Sequence, residues 1–141
     1  MNVERMSKRP LPSRDDPLVG EFWEHCNREE LRFQRCAECR TWRHLPRFAC
    51  AECGSQRWTW EISSGRGRLH SWTITHQPLM RDFAEPVPYA VVVIEMEEGV
   101  RIVSGVRGLE LSRLDLDLPV EVVFETVAEG VRFPFFRPRP D

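Results

Sequence analysis

Lysine is almost missing: of 20 basic residues only Lys8 is not an arginine. Long apolar runs are missing too. The longest, Ala90 to Ile94, falls far short of the about 20 residues a membrane-spanning helix needs, so no membrane association is expected. Met1-Asn2-Val3-Glu4-Arg5 contains no apolar h-region; a secretory signal is therefore not expected, and the expected location is cytoplasmic. The sequence shows neither a nucleophile motif nor a glycine-rich phosphate loop, which removes the usual signatures of a free-standing enzyme.

What is present is organised around Cys36-Ala37-Glu38-Cys39 and Cys50-Ala51-Glu52-Cys53. A Cys-x-x-Cys turn lets two sulfurs converge on one ion. Two such turns face to face supply four thiolates in a tetrahedron, a geometry suited to Zn²⁺. Cys36, Cys39, Cys50 and Cys53 are thus candidate ligands of a structural zinc, with no open coordination position for catalysis. Two disulfides and iron are the competing readings, and nothing marks the chain as secreted. A redox pair of thioredoxin type would need a surrounding βαβ pattern, which is absent. Gly54 after the second pair suits a tight knuckle with φ > 0, whereas Arg40 occupies the matching place after the first. The fifth cysteine, Cys26, falls on a helical stripe and reads as a small buried hydrophobe. His44 reads as a surface residue, because four cysteines already satisfy zinc.

A net charge of −2 conceals an asymmetry. Between Arg32 and Arg68, eight arginines face Glu38, Glu52 and Glu61, whereas residues 71–141 hold seven arginines against twelve carboxylates. Arginine's planar fork suits phosphate. Within the ribbon the arginines alternate with aromatics, so Arg43, Arg47, Arg57 and Trp42 are candidate contacts to a ligand that carries phosphates and a flat ring. A solvated basic face is the plainer reading of the same residues.

Along the chain, residues 1–14 read as an extended arm. Asp16-Pro17 starts a helix with Leu18, Phe22, Trp23 and Cys26 on its apolar stripe, ending between Asn27 and Glu30. Leu31 to Arg35 and Trp58 to Ile62 alternate as strands on either side of the knuckles. From Ser63 onward, strands are expected over Gly67–His76, Tyr89–Met96, Val100–Val106, Val120–Val127 and Val131–Phe133, with hairpins at Glu98-Gly99 and Glu129-Gly130. Gly65 and Gly67 suit a bulge at the head of the first, and Leu109–Leu116 has room for one helical turn. The expected fold is mainly β: arm and helix over 1–30, a rubredoxin-like four-Cys zinc ribbon over 31–61, and a five-stranded OB-fold barrel over 62–141. Leu79, Met80 and Phe83 in the loop from Gln77 to Pro88, and Phe135 in the tail, either plug the barrel or form a docking surface.

OB barrels and zinc ribbons also bind single-stranded nucleic acid, which stands as the alternative function. The acidic barrel half disfavours it, since phosphate attraction supplies most non-specific affinity. Catalysis by His70 and His76 is disfavoured because six extended residues separate them by about 20 Å.

Taken in order, Phe22-Trp23-Glu24, Leu31-x-Phe33-Gln34-Arg35-Cys36-x-x-Cys39, Leu45-Pro46-Arg47-x-x-Cys50-x-x-Cys53-Gly54-Ser55, Ser64-Gly65-Arg66-Gly67, Ser71-Trp72-Thr73 and Glu95-x-x-Glu98-Gly99-Val100-Arg101 resemble the acyl-CoA-associated zinc-ribbon/OB-fold protein family. Arg40 departs from the family's usual glycine. The resemblance implies a non-catalytic accessory subunit of thiolases, thiolase-like aldolases, 3-hydroxy-3-methylglutaryl-CoA synthases or enoyl-CoA hydratases. Such a subunit docks on its enzyme and helps to hold acyl-CoA; some relatives serve the degradation of steroid side chains or aromatic compounds.

Overall fold

The computed structural model describes residues 10–78 and 85–140. The chain begins to turn where Asp16-Pro17 predicts. Asp16 Oδ1 accepts the Leu18 and Val19 N–H groups at 2.8 Å each, and Gly20 N donates to Asp16 O at 3.1 Å. Regular helix α1 then runs over Gly20–Asn27, burying Phe22 and Cys26. It stops at Glu29, which takes a left-handed φ of 60°.

Three strands follow: β1 (Arg32–Cys36), β2 (Trp42–Arg43) and β3 (Trp58–Ile62), ordered β2-β1-β3 in an antiparallel ribbon. β1 is the middle strand and is covered on both faces, so Phe33 and Gln34 are both fully buried. Simple alternation predicts one wet face; here one face meets the helix and barrel and the other meets the ribbon's own finger.

Five longer strands build the second sheet: β4 (Arg66–Thr75), β5 (Tyr89–Met96), β6 (Arg101–Ser104), β7 (Pro119–Ala128) and β8 (Val131–Pro138), in the order β6-β5-β4-β7-β8. A parallel bridge between Val106 and Phe136 curls the two outer strands together, with Arg107 N donating to Phe136 O at 2.8 Å and Phe136 N to Gly105 O at 3.0 Å. This is the connectivity of an OB barrel. A single 3₁₀ turn, Leu111–Arg113, falls inside the stretch expected to hold one.

Two details differ from expectation. The register shift in β4 lies between Leu69 and Ser71, not at Gly65 or Gly67. Gly67 is needed for a different reason: a Cβ there would sit 2.6 Å from Glu95 O on β5. The last strand continues past Phe133 to Pro138 despite two prolines. Phe136 N points to the closure side, so by alternation the donor-less nitrogens of Pro134 and Pro138 lie on that side and not in the β7 ladder.

One core joins the modules. Phe22, Cys26, Leu31 and Phe33 pack with Leu69, Val92, Ile94, Val120 and Phe136. The connection is also pinned by Glu98, whose carboxylate accepts Ser63 Oγ at 2.7 Å and Ser64 N at 2.9 Å. No helix among the described residues is long and apolar enough to cross a membrane.

Candidate functional site

The two knuckles are near-copies. Arg40 N donates to Cys36 O and Gly54 N to Cys50 O, while Cys36 N reaches Thr41 O and Cys50 N reaches Ser55 O, all at 2.8–3.1 Å. The turn requires φ > 0 at the residue after each pair: Gly54 has φ 78° and Arg40 has φ 66°. Arg40 therefore adopts the geometry glycine takes more cheaply.

These turns bring the four sulfurs together. Cys36 and Cys53 Sγ lie 3.6 Å apart, as do Cys39 and Cys50, and all four lie within 4.8 Å of one another. A tetrahedron with 2.3 Å metal–sulfur bonds has edges of about 3.8 Å, so the set fits zinc. The Cys39 amide, 3.5 Å from Cys36 Sγ, draws that thiol's pKa down to about 7. The Thr41 hydroxyl, 3.1 Å from Cys39 Sγ, lowers that one. Hydrogen bonds of this kind to sulfur help to orient a set of metal ligands. Cys26 lies elsewhere, fully buried under α1, its pKa pushed up to about 12 by burial. The four cysteines form a structural zinc site.

The candidate arginines do not share one environment. Arg43 is an interior residue, 9% exposed. Its Nε donates to Gln34 Oε1 at 2.9 Å, its Nη2 donates to Arg47 O at 2.9 Å, and its Cζ lies 5.2 Å from the Trp58 ring centroid. Arg57 is ion-paired with Glu38 beside the first knuckle. Trp42 already carries Arg35 over its ring, at 4.6 Å. Among the described residues, Arg47 is the one candidate arginine whose guanidinium has no partner.

A cleft of about 420 Å³ opens beside the ribbon, lined by Trp42, Arg43, Arg47, Glu52, Glu95 and Arg101 among others. It gathers three of the four candidates and leaves out Arg57. Its new member is Arg101 on β6, whose side chain has no ion pair and no hydrogen-bonded partner among the described residues. The motif around Gly99 contains Arg101, but only the packing of barrel on ribbon brings it here.

A second cleft, about 470 Å³ and largely apolar, lies between α1, the finger His44–Pro46, β6 and β8. His44 and Arg101 line both. His44 is not a surface residue: its ring packs 5.1 Å from Phe22 and 5.2 Å from Phe33, and burial pushes its pKa down to about 4. Phe135 turns inward, 7% exposed, with the Arg107 guanidinium 3.8 Å above its ring. Arg107 in turn is held by Glu85 and Glu125. Leu79, Met80 and Phe83 lie outside the described residues.

Comparison with known proteins agrees with this geometry. Residues 23–59 match the rubredoxin-like zinc ribbon domain of ChsH2, and residues 60–125 match the ChsH2 C-terminal OB-fold domain. A probable enoyl-CoA hydratase alpha subunit from Thermomonospora curvata is 31% identical over 140 residues, covering 96% of this chain but 43% of that protein. The chain thus spans less than half the length of that relative. A DUF35 domain-containing scaffold protein from Methanothermobacter thermautotrophicus is 31% identical over 109 residues, 76% of this chain and 81% of that one. Among solved structures, a chain of the Ltp2-ChsH2(DUF35) aldolase superposes with a TM-score of 0.83 at 30% identity, covering 92% of this chain and 98% of that one. Helix, four-Cys ribbon and OB barrel, in this order and with these relatives, place the chain in the ChsH2/DUF35 zinc-ribbon/OB-fold family.

Proposed function

We propose that the chain is a non-catalytic accessory subunit that docks on an acyl-CoA-metabolising enzyme, of thiolase-like aldolase or hydratase type, and helps to hold its CoA thioester. The observation that carries this is the likeness, along nearly the whole of both chains, to the ChsH2(DUF35) fold of an aldolase complex. The zinc supports the role by fixing the ribbon while leaving no coordination position for a substrate.

The CoA contacts follow from the ribbon-side cleft. Arg47, unpaired among the described residues, offers its fork to a phosphate, Arg43 sits behind it, and Trp42 supplies a ring beside them. Arg57, committed to Glu38 outside that cleft, is the weakest of the four candidates. A charge-assisted contact to phosphate contributes roughly 1.5–3 kcal/mol when desolvated. Glu52 and Glu95 on the same wall reduce the net attraction.

Three measurements test the proposal. A tagged chain in its native organism should co-purify with an acyl-CoA enzyme, and the isolated chain should not turn over acyl-CoA; robust thiolysis, aldol cleavage or hydration by the homogeneous chain would refute the role. Calorimetry of the complex should give tighter binding of acyl-CoA than of acyl-pantetheine. Arg47→Ala should narrow that difference and Arg57→Ala should leave it. Equal affinity for the two ligands would assign the arginines to the partner's acidic surface.

A further inference from the structure

The apolar cleft between α1, the finger, β6 and β8 is not needed for the phosphate contacts above. Its volume, about 470 Å³, falls within the roughly 300–1,000 Å³ of small-molecule sites. Phe22, Trp23, Phe133 and Phe135 form its walls, and Leu45 and Val103 stand on it with 67% and 66% of their surface in water. Apolar surface left open on both sides of a concave site is the feature an apolar ligand would cover.

The polar groups of this cleft are few. The Ser104 hydroxyl is committed to Pro134 O at 2.7 Å. His44, with its depressed pKa, is neutral near pH 7 and adds no charge. That leaves Arg101. Most described arginines are matched, Arg35 and Arg40 to Glu61, Arg57 to Glu38, Arg107 to Glu85 and Glu125, and Arg137 to Glu121. Arg101 has no such match among the described residues, although Glu95 faces it across the β5–β6 ladder. Arg101 and Val103 are two apart on β6 and so share a face, about 7 Å from each other. One unmatched cation stands beside one apolar trough.

We propose that this cleft binds an apolar carboxylate of fatty-acid type, its chain lying along Val103 and over the continuous aromatic surface that Trp23 and Phe133 form with their ring centroids 5.1 Å apart, and its charged end meeting Arg101. The site belongs to this chain alone and does not depend on the accessory-subunit reading or on CoA.

The experiment is calorimetry of the intact zinc-loaded chain with three probes: decanoate, decanol and acetate. Decanoate should bind more tightly than either, because decanol lacks the charge and acetate lacks the chain. Arg101→Gln should weaken decanoate about tenfold, the scale of one charge-assisted hydrogen bond, and leave decanol unchanged. Val103→Glu, at an exposed position where folding tolerates the change, should abolish decanoate binding while thermal melting and zinc content stay as in the parent. Trp23→Phe should remove the tryptophan fluorescence change that decanoate causes. Equal affinity for decanoate and decanol, or an Arg101→Gln variant that binds decanoate normally, overturns the assignment. So does absence of decanoate binding; if Val103→Glu then blocks assembly with the co-purifying enzyme, the cleft is a socket for an apolar side chain of that enzyme.

Discussion

The ribbon and the barrel are both small β units, but they are held together differently. The barrel closes five strands around Leu69, Val92, Ile94, Ile102, Val120 and Phe136, all buried. The ribbon has three short strands, and its buried finger-side face carries Gln34 and Arg43 where a larger unit would carry leucine. A sheet this small cannot bury enough apolar surface to offset the entropy of ordering its chain. Metal coordination replaces the missing core. The two units still share a boundary, since Phe33 on β1 packs into the barrel's own cluster.

Zinc removal tests that contrast most severely. Structural zinc contributes roughly 10–16 kcal/mol of apparent binding free energy in zinc-finger peptides at pH 7. Chelation, or Cys39→Ser, should therefore unfold residues 32–62 and release one zinc per chain. Amide exchange should show the β4 and β5 protons still protected while β1–β3 exchange freely. If β4 and β5 lose protection in the same step, the shared Phe33 boundary has made the two units one cooperative whole. Cys26→Ala should leave zinc content unchanged.

The converse change is Phe136→Ala in the barrel. A fully buried aromatic truncated to alanine costs about 3–5 kcal/mol, and here it also disturbs the β8 closure through Gly105 and Arg107. Thermal unfolding should shift down strongly with zinc retained. Loss of zinc in the still-folded variant would mean that the ribbon depends on the barrel more than its own four sulfurs suggest.

The contrast also governs what the sequence reveals. The knuckles were readable because coordination chemistry fixes residue type and spacing, and the barrel strands because alternation and Gly-marked hairpins carry them. Arg40 was readable as a departure, and its left-handed φ shows the turn imposing itself on a residue that does not favour it. Side-chain environments at the seam were not readable. Arg43 and Arg57 look alike in sequence, yet one is enclosed by Gln34 and Trp58 and the other stands in water against Glu38. His44 and Arg101 acquire their positions only when the finger, α1 and β6 meet, and no local pattern encodes that meeting.

His44 sits on this seam, and its protonation should weaken it. Its pKa is lowered in the folded state from 6.5 to about 4 by burial between Phe22 and Phe33. The unfolded chain thus binds the extra proton more readily between those values, so stability falls as pH drops from 6.5 toward 4 and is unaffected above. The full effect is about 3 kcal/mol at most, since one pKa unit corresponds to 1.36 kcal/mol. Cysteine protonation also releases zinc in acid, so the informative quantity is the difference between parent and His44→Phe in urea unfolding at each pH. The variant should lose the part of the slope assigned to His44. Identical slopes would place the whole acid sensitivity at the metal.

A further contrast lies inside the ribbon, where Gln34 Oε1 accepts both Arg43 Nε at 2.9 Å and Arg47 N at 2.7 Å. Gln34→Met removes this shared acceptor and leaves two donors in a dry place, each costing about 1–3 kcal/mol if nothing replaces the partner. Arg43 cannot neutralise itself by losing a proton, so its cost persists at every pH. Arg43→Met is milder, because Gln34 Oε1 keeps Arg47 N, and the change also removes Nη1, a buried donor with no partner among the described residues. The double variant should then be more stable than Gln34→Met alone, since it deletes the donor that the single change orphaned. Urea midpoints on zinc-loaded protein measure this directly. If the two substitutions simply add, Arg43 and Gln34 do not act as a pair, and the ribbon's polar interior is held by its zinc rather than by their contact.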